Sequence, residues 1–230
     1  MALSDEIKEQ QQKLKGQGFK AVVAYIWDYY KVHFIVAIVA ILIIISLVRT
    51  LVNNSRPEYI NVMILNATYD LSAGDAGLEK QLASYAGVDT KTTRLTFDTT
   101  SSYAGTDSPD SGSMAVNLKI LAQFQAQTLD VMIAPQEVIE EYAPTGGYGD
   151  LREYIGEEEL HKLEAEGFDI LTVNVYGTDT PVGISLQNSP YLSNLPYGLP
   201  FHDDVDPYFS IALAAPHPEA AVTFLHMLTE

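Results

Sequence analysis

The chain contains no cysteine. That excludes disulfides, thiolate metal sites, a cysteine nucleophile and a lipid-modified cysteine anchor. An exported domain without disulfides also suits a bacterial cell surface better than a disulfide-rich secretory setting. Basic residues are nearly as scarce over most of the length. Residues 57–230 hold 26 acidic side chains and only six basic ones, Lys80, Lys91, Arg94, Lys119, Arg152 and Lys162, a net of −20. Binding to nucleic acid relies on Lys and Arg against phosphate, so no nucleic acid partner is expected, nor adhesion to anionic lipid through a basic patch. Motifs of catalysis are missing as well: there is no G-x-S-x-G elbow, no P-loop and no dinucleotide fingerprint. Gly146-Gly147-Tyr148-Gly149 reads as a turn. The expectation is a protein that is not an enzyme and carries no cofactor.

What the chain does have is one long apolar run. Residues 34–48, FIVAIVAILIIISLV, carry no charge, and Ser46 is their one polar side chain. With Val32 and His33 before it and Leu51 and Val52 after it, the run extends to residues 32–52, matching the ~20 residues that cross ~30 Å of hydrocarbon. Arg49 can snorkel to the headgroups. Tyr25, Trp27, Tyr29 and Tyr30 precede the run, and such rings favour the membrane interface. A cleaved signal peptide would show a small-residue cut after the run; the sequence there is SLVRTLVNN, without an A-x-A pattern. The expectation is an uncleaved single-pass anchor in the lipid bilayer. Lys8, Lys13, Lys15, Lys20 and Lys31 precede it, against Arg49 and Arg56 close after it. Positive charge stays on the cytoplasmic side, so the N-terminus is expected in the cytoplasm and the C-terminal domain outside the cell.

This gives a division into residues 1–31, a cytosolic head and interfacial helix; 32–52, a transmembrane helix; 53–57, a linker ending in Pro57; and 58–230, an extracellular domain. Within the head, Leu3, Ile7 and Leu14 could line a short helix, while residues 19–30 show a regular apolar stripe leading into the anchor. In the domain, apolar or alternating runs predict strands at 59–65, 92–97, 129–134, 169–176, 181–187 and 208–214. Helical spacing with Gly or Pro punctuation predicts helices at 76–86, 114–127, 135–142 with Pro135 at its first position, 151–155, 157–166 and from Pro218 onward. Residues 177–180, Gly-Thr-Asp-Thr, read as a hairpin turn. Strands alternating with helices predict an α/β fold: a doubly wound, mainly parallel sheet with helices on both faces.

Residues 118–155, LKILAQFQAQTLDVMIAPQEVIEEYAPTGGYGDLREYI, resemble a segment of bacterial extracellular solute-binding proteins of the type II periplasmic-binding fold. A helix leads there into an apolar strand opening with Asp130-Val131, a second helix follows, and a Gly149-Asp150-Leu151 step enters the next. Residues 217–228, HPEAAVTFLHML, are similar to that family's closing helix, with His217 where Asn is usual. The resemblance implies one lobe of that fold and a membrane-anchored solute-binding-like role beside a transporter, with a small-molecule solute and a membrane protein as partners. The alternative is a non-catalytic scaffold or interaction subunit of a membrane complex that has lost ligand binding.

In a doubly wound sheet, ligands meet the loops at the carboxyl ends of the strands. The hydrogen-bonding residues expected there are Asn66, Thr68 and Tyr69 after the first strand, Asp98, Ser101 and Tyr103 after the second, and Gln136 after the third. His202-Asp203-Asp204 with Asp206 gathers metal-ligating types, but its spacing matches neither an EF-hand loop nor an HExxH helix. Asp98, Asp107 and Asp110 lack calcium-loop spacing too. No metal site is expected.

Overall fold

The computed structural model describes residues 19–71, 77–105, 111–195, 200–201 and 205–230, and for 19–26, 28–31 and 52–54 the backbone alone. The expected head helix on Leu3, Ile7 and Leu14, the residues His202, Asp203 and Asp204, and the carboxylates Asp107 and Asp110 lie outside the described residues. The chain divides into two compact units, Met1–Ser55 and Arg56–Glu230.

The first unit is built on α1 (Phe19–Asn54), one unbroken helix of 36 residues. The interfacial stripe and the apolar run are therefore continuous, and the helix reaches Asn54, two residues into the expected linker. Val32–Leu51 is long and apolar enough to cross a membrane, and none of it is buried. A core helix would hide such residues; here Leu42 is 60% and Leu51 69% exposed. Inside this stretch the Thr50 hydroxyl donates to the Ser46 carbonyl at 3.0 Å, which satisfies a polar group that hydrocarbon would leave without a partner.

The second unit is an α/β domain. In order it contains β1 (Glu58–Ile64), α2 (Leu78–Ala86), β2 (Arg94–Asp98), α3 (Ser111–Ala126), β3 (Val131–Pro135), α4 (Gln136–Tyr142), a 3₁₀ turn (Ala143–Thr145), α5 (Leu151–Ala165), β4 (Ile170–Val175), β5 (Thr178–Ser185), the single-turn α6 (Pro190–Ser193), β6 (Pro207–Ile211) and α7 (Pro218–Thr229). The strands form one sheet in the order β2-β1-β3-β6-β5-β4. β1 pairs in parallel with β2 and β3, whereas β3–β6, β5–β6 and β4–β5 are antiparallel. The expected mainly parallel sheet is thus corrected to a mixed one. The cause is local. β4 and β5 are joined by a two-residue turn, Tyr176-Gly177, both with positive φ (51° and 88°), which can only reverse the chain. The turn falls one residue earlier than the run at 177–180 suggested.

In the parallel half the chain moves from β1 out to β2, then back across β1 to β3. Right-handed crossovers then place successive helices on opposite faces. The side chains agree. Ile60, Val62 and Ile64 of β1 meet Leu78 and Leu82 of α2 and Phe224 and Leu225 of α7 in one core. Met63 and Leu65 meet Ile120 of α3 and Val138, Ile139 and Tyr142 of α4 in the other. β3 alternates likewise, Val131 and Ile133 one way, Met132 and Ala134 the other, as the two-residue period of a strand requires.

Two connections account for the motifs singled out in the sequence. At residues 149–151, a Cβ on Gly149 would lie 2.5 Å from the Tyr154 hydroxyl oxygen, Asp150 caps α5 by accepting from the Arg152 N–H at 2.9 Å, and Leu151 is fully buried. The two helical segments expected at 151–155 and 157–166 meet as α5, broken at Gly156 (φ 81°, ψ 160°). The second connection is Asp130, fully buried at the mouth of β3. Its Oδ2 accepts from the Asn61 backbone N–H at 2.7 Å and its Oδ1 from the His217 N–H at 2.6 Å. The His217 ring Nδ1 lies 3.1 Å from Oδ2, and the Asp130 carbonyl accepts from the Ala212 N–H at 2.9 Å. Replacing Asp130 with Ala strips two backbone donors, the buried Asn61 N–H and the half-buried His217 N–H, of their acceptor. The expected loss in urea unfolding of residues 56–230 is about 2–6 kcal/mol, at about 1–3 kcal/mol for each donor left unsatisfied; a loss under about 1 kcal/mol would show that water or the loop replaces the carboxylate.

Candidate functional site

β1 has β2 on one side and β3 on the other, so the carboxyl ends of β1 and β3 flank the point where the strand order reverses. In open α/β sheets this is where a crevice forms. Beyond β1, the Leu65 N–H still bonds the Ile133 carbonyl at 2.8 Å. Asn66 then adopts φ 60°, a left-handed conformation that Asn tolerates better than most residues. That turn brings its backbone N–H to the Ser101 carbonyl at 3.1 Å. It also presents the side-chain amide to Tyr103: Nδ2 donates to the Tyr103 carbonyl at 2.9 Å and Oδ1 accepts from the Tyr103 N–H at 2.7 Å. Asn66 is thereby used on both sides of its amide, and the loops after β1 and β2 are laced together across the reversal point.

Tyr103 continues inward and is 3% exposed. Its hydroxyl donates to Glu141 Oε1 at 2.9 Å. The Tyr142 hydroxyl lies 3.0 Å from the Tyr103 oxygen and 2.8 Å from Asn117 Oδ1. Burial, with the bonds to Tyr142 and Glu141, pushes the Tyr103 hydroxyl well above the usual tyrosine range, so it remains a donor. One wall of the network comes from α3 through Asn117 and the other from α4 through Glu141 and Tyr142.

Asp98 ends β2. Its Oδ2 accepts from Lys119 Nζ at 2.6 Å and from Ser101 Oγ at 2.5 Å. Burial works to raise this carboxyl; the hydrogen bonds from Lys119 and Ser101 and the Lys119 charge outweigh it and hold Asp98 below its ordinary value. Of the other expected residues, Gln136 bonds within its own helix, Nε2 to Glu140 Oε1 at 2.7 Å. Thr68 is exposed and its N–H reaches the Pro200 carbonyl at 2.7 Å. Tyr69 packs against the α2/α7 core. The structure therefore unites Asn66, Asp98, Ser101 and Tyr103 in one network and leaves Thr68, Tyr69 and Gln136 outside it. Lys119, Glu141, Tyr142 and Asn117 belong to the network and were missed. Lys119 carried a signal, being one of six basic residues in an acidic domain; the others carried none, since their role depends on the packing of α3 against α4.

Elsewhere, a groove of about 450 Å³ runs between α2, α6 and α7, lined by Gln81, Pro190, Tyr191, Asn194, Leu195, Met227 and Glu230. The Tyr191 hydroxyl is buried without a hydrogen-bond partner, and its pKa is pushed up to about 12, chiefly by burial. Among the described residues no group of three or more His, Asp or Glu side chains converges as a metal site would require. Asp206 accepts from Ser185 Oγ at 2.5 Å. No protein-family model matches this chain, and neither a curated protein nor a solved structure matches it.

The Asp98 shift gives a pH signature. A carboxyl whose folded pKa lies below its unfolded value adds stability above the unfolded value, about pH 4, and loses it as pH falls through the folded value. The stability gap between the natural chain and Asp98→Asn, measured by urea unfolding, should be widest near neutral pH and close as pH falls through the lowered folded value and the carboxyl protonates. A gap that does not change with pH would remove the Lys119–Asp98 pair from the account.

Proposed function

We propose that this chain is a membrane-anchored, non-catalytic interaction subunit. In this reading α1 crosses the bilayer, residues 1–31 stay in the cytoplasm, and the α/β domain works outside the cell as a scaffold for a protein partner. The observation that carries it is the double hydrogen bond between Asn66 and Tyr103. The polar groups of Asn66, Asp98, Ser101 and Tyr103 at the reversal point are engaged with one another, and the Tyr103 side chain is buried. Displacing these bonds would require a ligand to replace two amide hydrogen bonds and leave Tyr103 otherwise satisfied, a demanding exchange for buried groups.

A second reading, solute binding beside a transporter with a domain of binding-protein lobe type, is favoured by a different place. The groove at Gln81, Tyr191 and Glu230 holds a buried hydroxyl without a partner, which a ligand acceptor would satisfy. A thermal-shift screen of residues 56–230 against sugars, amino acids, short peptides and divalent cations separates the two. A ligand that binds the native state at 100 times its Kd stabilises by about 2.7 kcal/mol, an unmistakable rise in Tm. The interaction reading expects no rise across all classes. A rise abolished by Tyr191→Phe would establish the groove as a solute site, and one abolished by Asn66→Ala would place the solute at the strand ends.

A further inference from the structure

The sheet ends in two edge strands, β2 and β4, and they differ. β2 carries a charge at each end, Arg94 and Asp98, the kind of residue that keeps an edge from pairing with a further strand. β4, ILTVNV, carries no charge and no proline. Among the described residues, no strand or loop bonds its outer side. Which main-chain groups lie on that side follows from the pairing with β5. The Asp169 carbonyl faces β5 and accepts from the Ser185 N–H at 2.8 Å. Thr172 stands opposite Pro181, which has no N–H to give. The irregularity in this pairing falls on β5, where Val182 is the extra residue. Antiparallel pairs alternate along a strand, so Ile170, Thr172 and Asn174 turn their N–H and C=O groups outward. Thr172 and Asn174 are exposed. Beside this edge a hollow of about 210 Å³ opens between α5 and the β4–β5 hairpin, with Thr172, Asp179, Arg152, Glu157, His161 and Glu164 in its walls. Three carboxylates there stand against one guanidinium, and Asp150 already pairs that guanidinium at 2.6 Å. The His161 ring Nδ1 lies 3.1 Å from Glu164 Oε2.

We propose that β4 is a docking edge for an extended, basic segment of a partner protein, which adds to the sheet as a further strand. This assignment rests on the interaction-subunit reading and gives that partner its chemistry. The backbone selects an extended chain. The outward groups of Ile170, Thr172 and Asn174 repeat every second residue, and a strand laid alongside answers them in the same rhythm. In strand addition of this kind, main-chain bonds supply affinity and pockets for alternate side chains supply specificity. The hollow selects the charge. An added strand lies about 4.8 Å from β4, and its side chains on the α5 face stand next to Ile170, Thr172 and Asn174. A Lys or Arg at such a position reaches the carboxylates of Glu157, Glu164 and Asp179. The net charge of −20 over residues 57–230 draws the same kind of partner. It opposes a second copy, which would bring the same three carboxylates to the junction.

The probe is a capped, fluorescent peptide of alternating Thr and Lys, offered to the full chain in nanodiscs of neutral lipid, with binding read by anisotropy. It should bind. Its Thr-Glu counterpart should not. Neither should the Thr-Lys peptide with every main-chain amide N-methylated, which keeps the charge and loses the backbone donors. Thr172→Pro removes an outward N–H that β5 does not use, a position where an edge strand accepts proline. It should weaken binding by about tenfold, the worth of one hydrogen bond, with an unchanged melting curve. Glu157→Gln combined with Glu164→Gln, both exposed, should also weaken binding and keeps the test open if the proline variant does not fold. No binding of the Thr-Lys peptide, equal binding of its N-methylated form, or binding untouched by the carboxylate variant overturns the proposal. A covalent self-dimer through Asn174→Cys under a short bis-maleimide, in a chain with no other thiol, gives the edge to a second copy and overturns the basic-partner assignment. Each of these results leaves the interaction reading standing. A solute-induced rise in Tm fails that reading, and the peptide result stands or falls separately.

Discussion

The buried carboxylate of Asp130 joins the two halves of the domain. It sits where the parallel set β2-β1-β3 meets the antiparallel set β6-β5-β4. One oxygen continues the β1–β3 ladder through the Asn61 N–H, and the other seats the first turn of α7 through the His217 N–H. A carboxylate suits both tasks, because it offers acceptor sites on two sides and its charge favours a helix N-terminus. The backbone of the same residue accepts from Ala212 just past β6. From this point α7 lays Phe224 and Leu225 onto β1 and β6, and His226 reaches Glu159 of α5 at 2.6 Å.

With the sheet fixed this way, the carboxyl ends of β1, β2 and β3 converge, and the polar side chains gathered there bond to one another. Asn66 uses its amide on Tyr103, Asp98 is held by Lys119 and Ser101, and Tyr103 is held by Glu141 and Tyr142. Lys119 lies on α3, so its bond to Asp98 ties this helix to the end of β2.

Much of this was legible in the sequence. The apolar run at 34–48, the strand at residues 129–134 and the helix opening at Pro218 depend on local pattern, and each forms within a few residues of where the pattern places it. The mixed sheet was not legible. Strand periodicity is the same for parallel and antiparallel neighbours, and the direction of β6 depends on its partners β3 and β5, more than 20 residues away in the chain. The turn shifted because Tyr176 takes a left-handed conformation that Tyr rarely adopts. At the strand ends, residue types correctly marked Asn66, Asp98, Ser101 and Tyr103 as hydrogen-bonding groups. Nothing local could show that their partners would be each other.

The account turns on the crevice at the strand ends being closed by the Asn66–Tyr103 bonds. Amide hydrogen exchange on the full chain tests this most directly. The Tyr103 N–H, held by the Asn66 side chain, and the Asn66 N–H, held by Ser101, should exchange as slowly as those of β1, through global unfolding. Exchange at the rate of an exposed loop would mean that the crevice stands open, and would contradict the account.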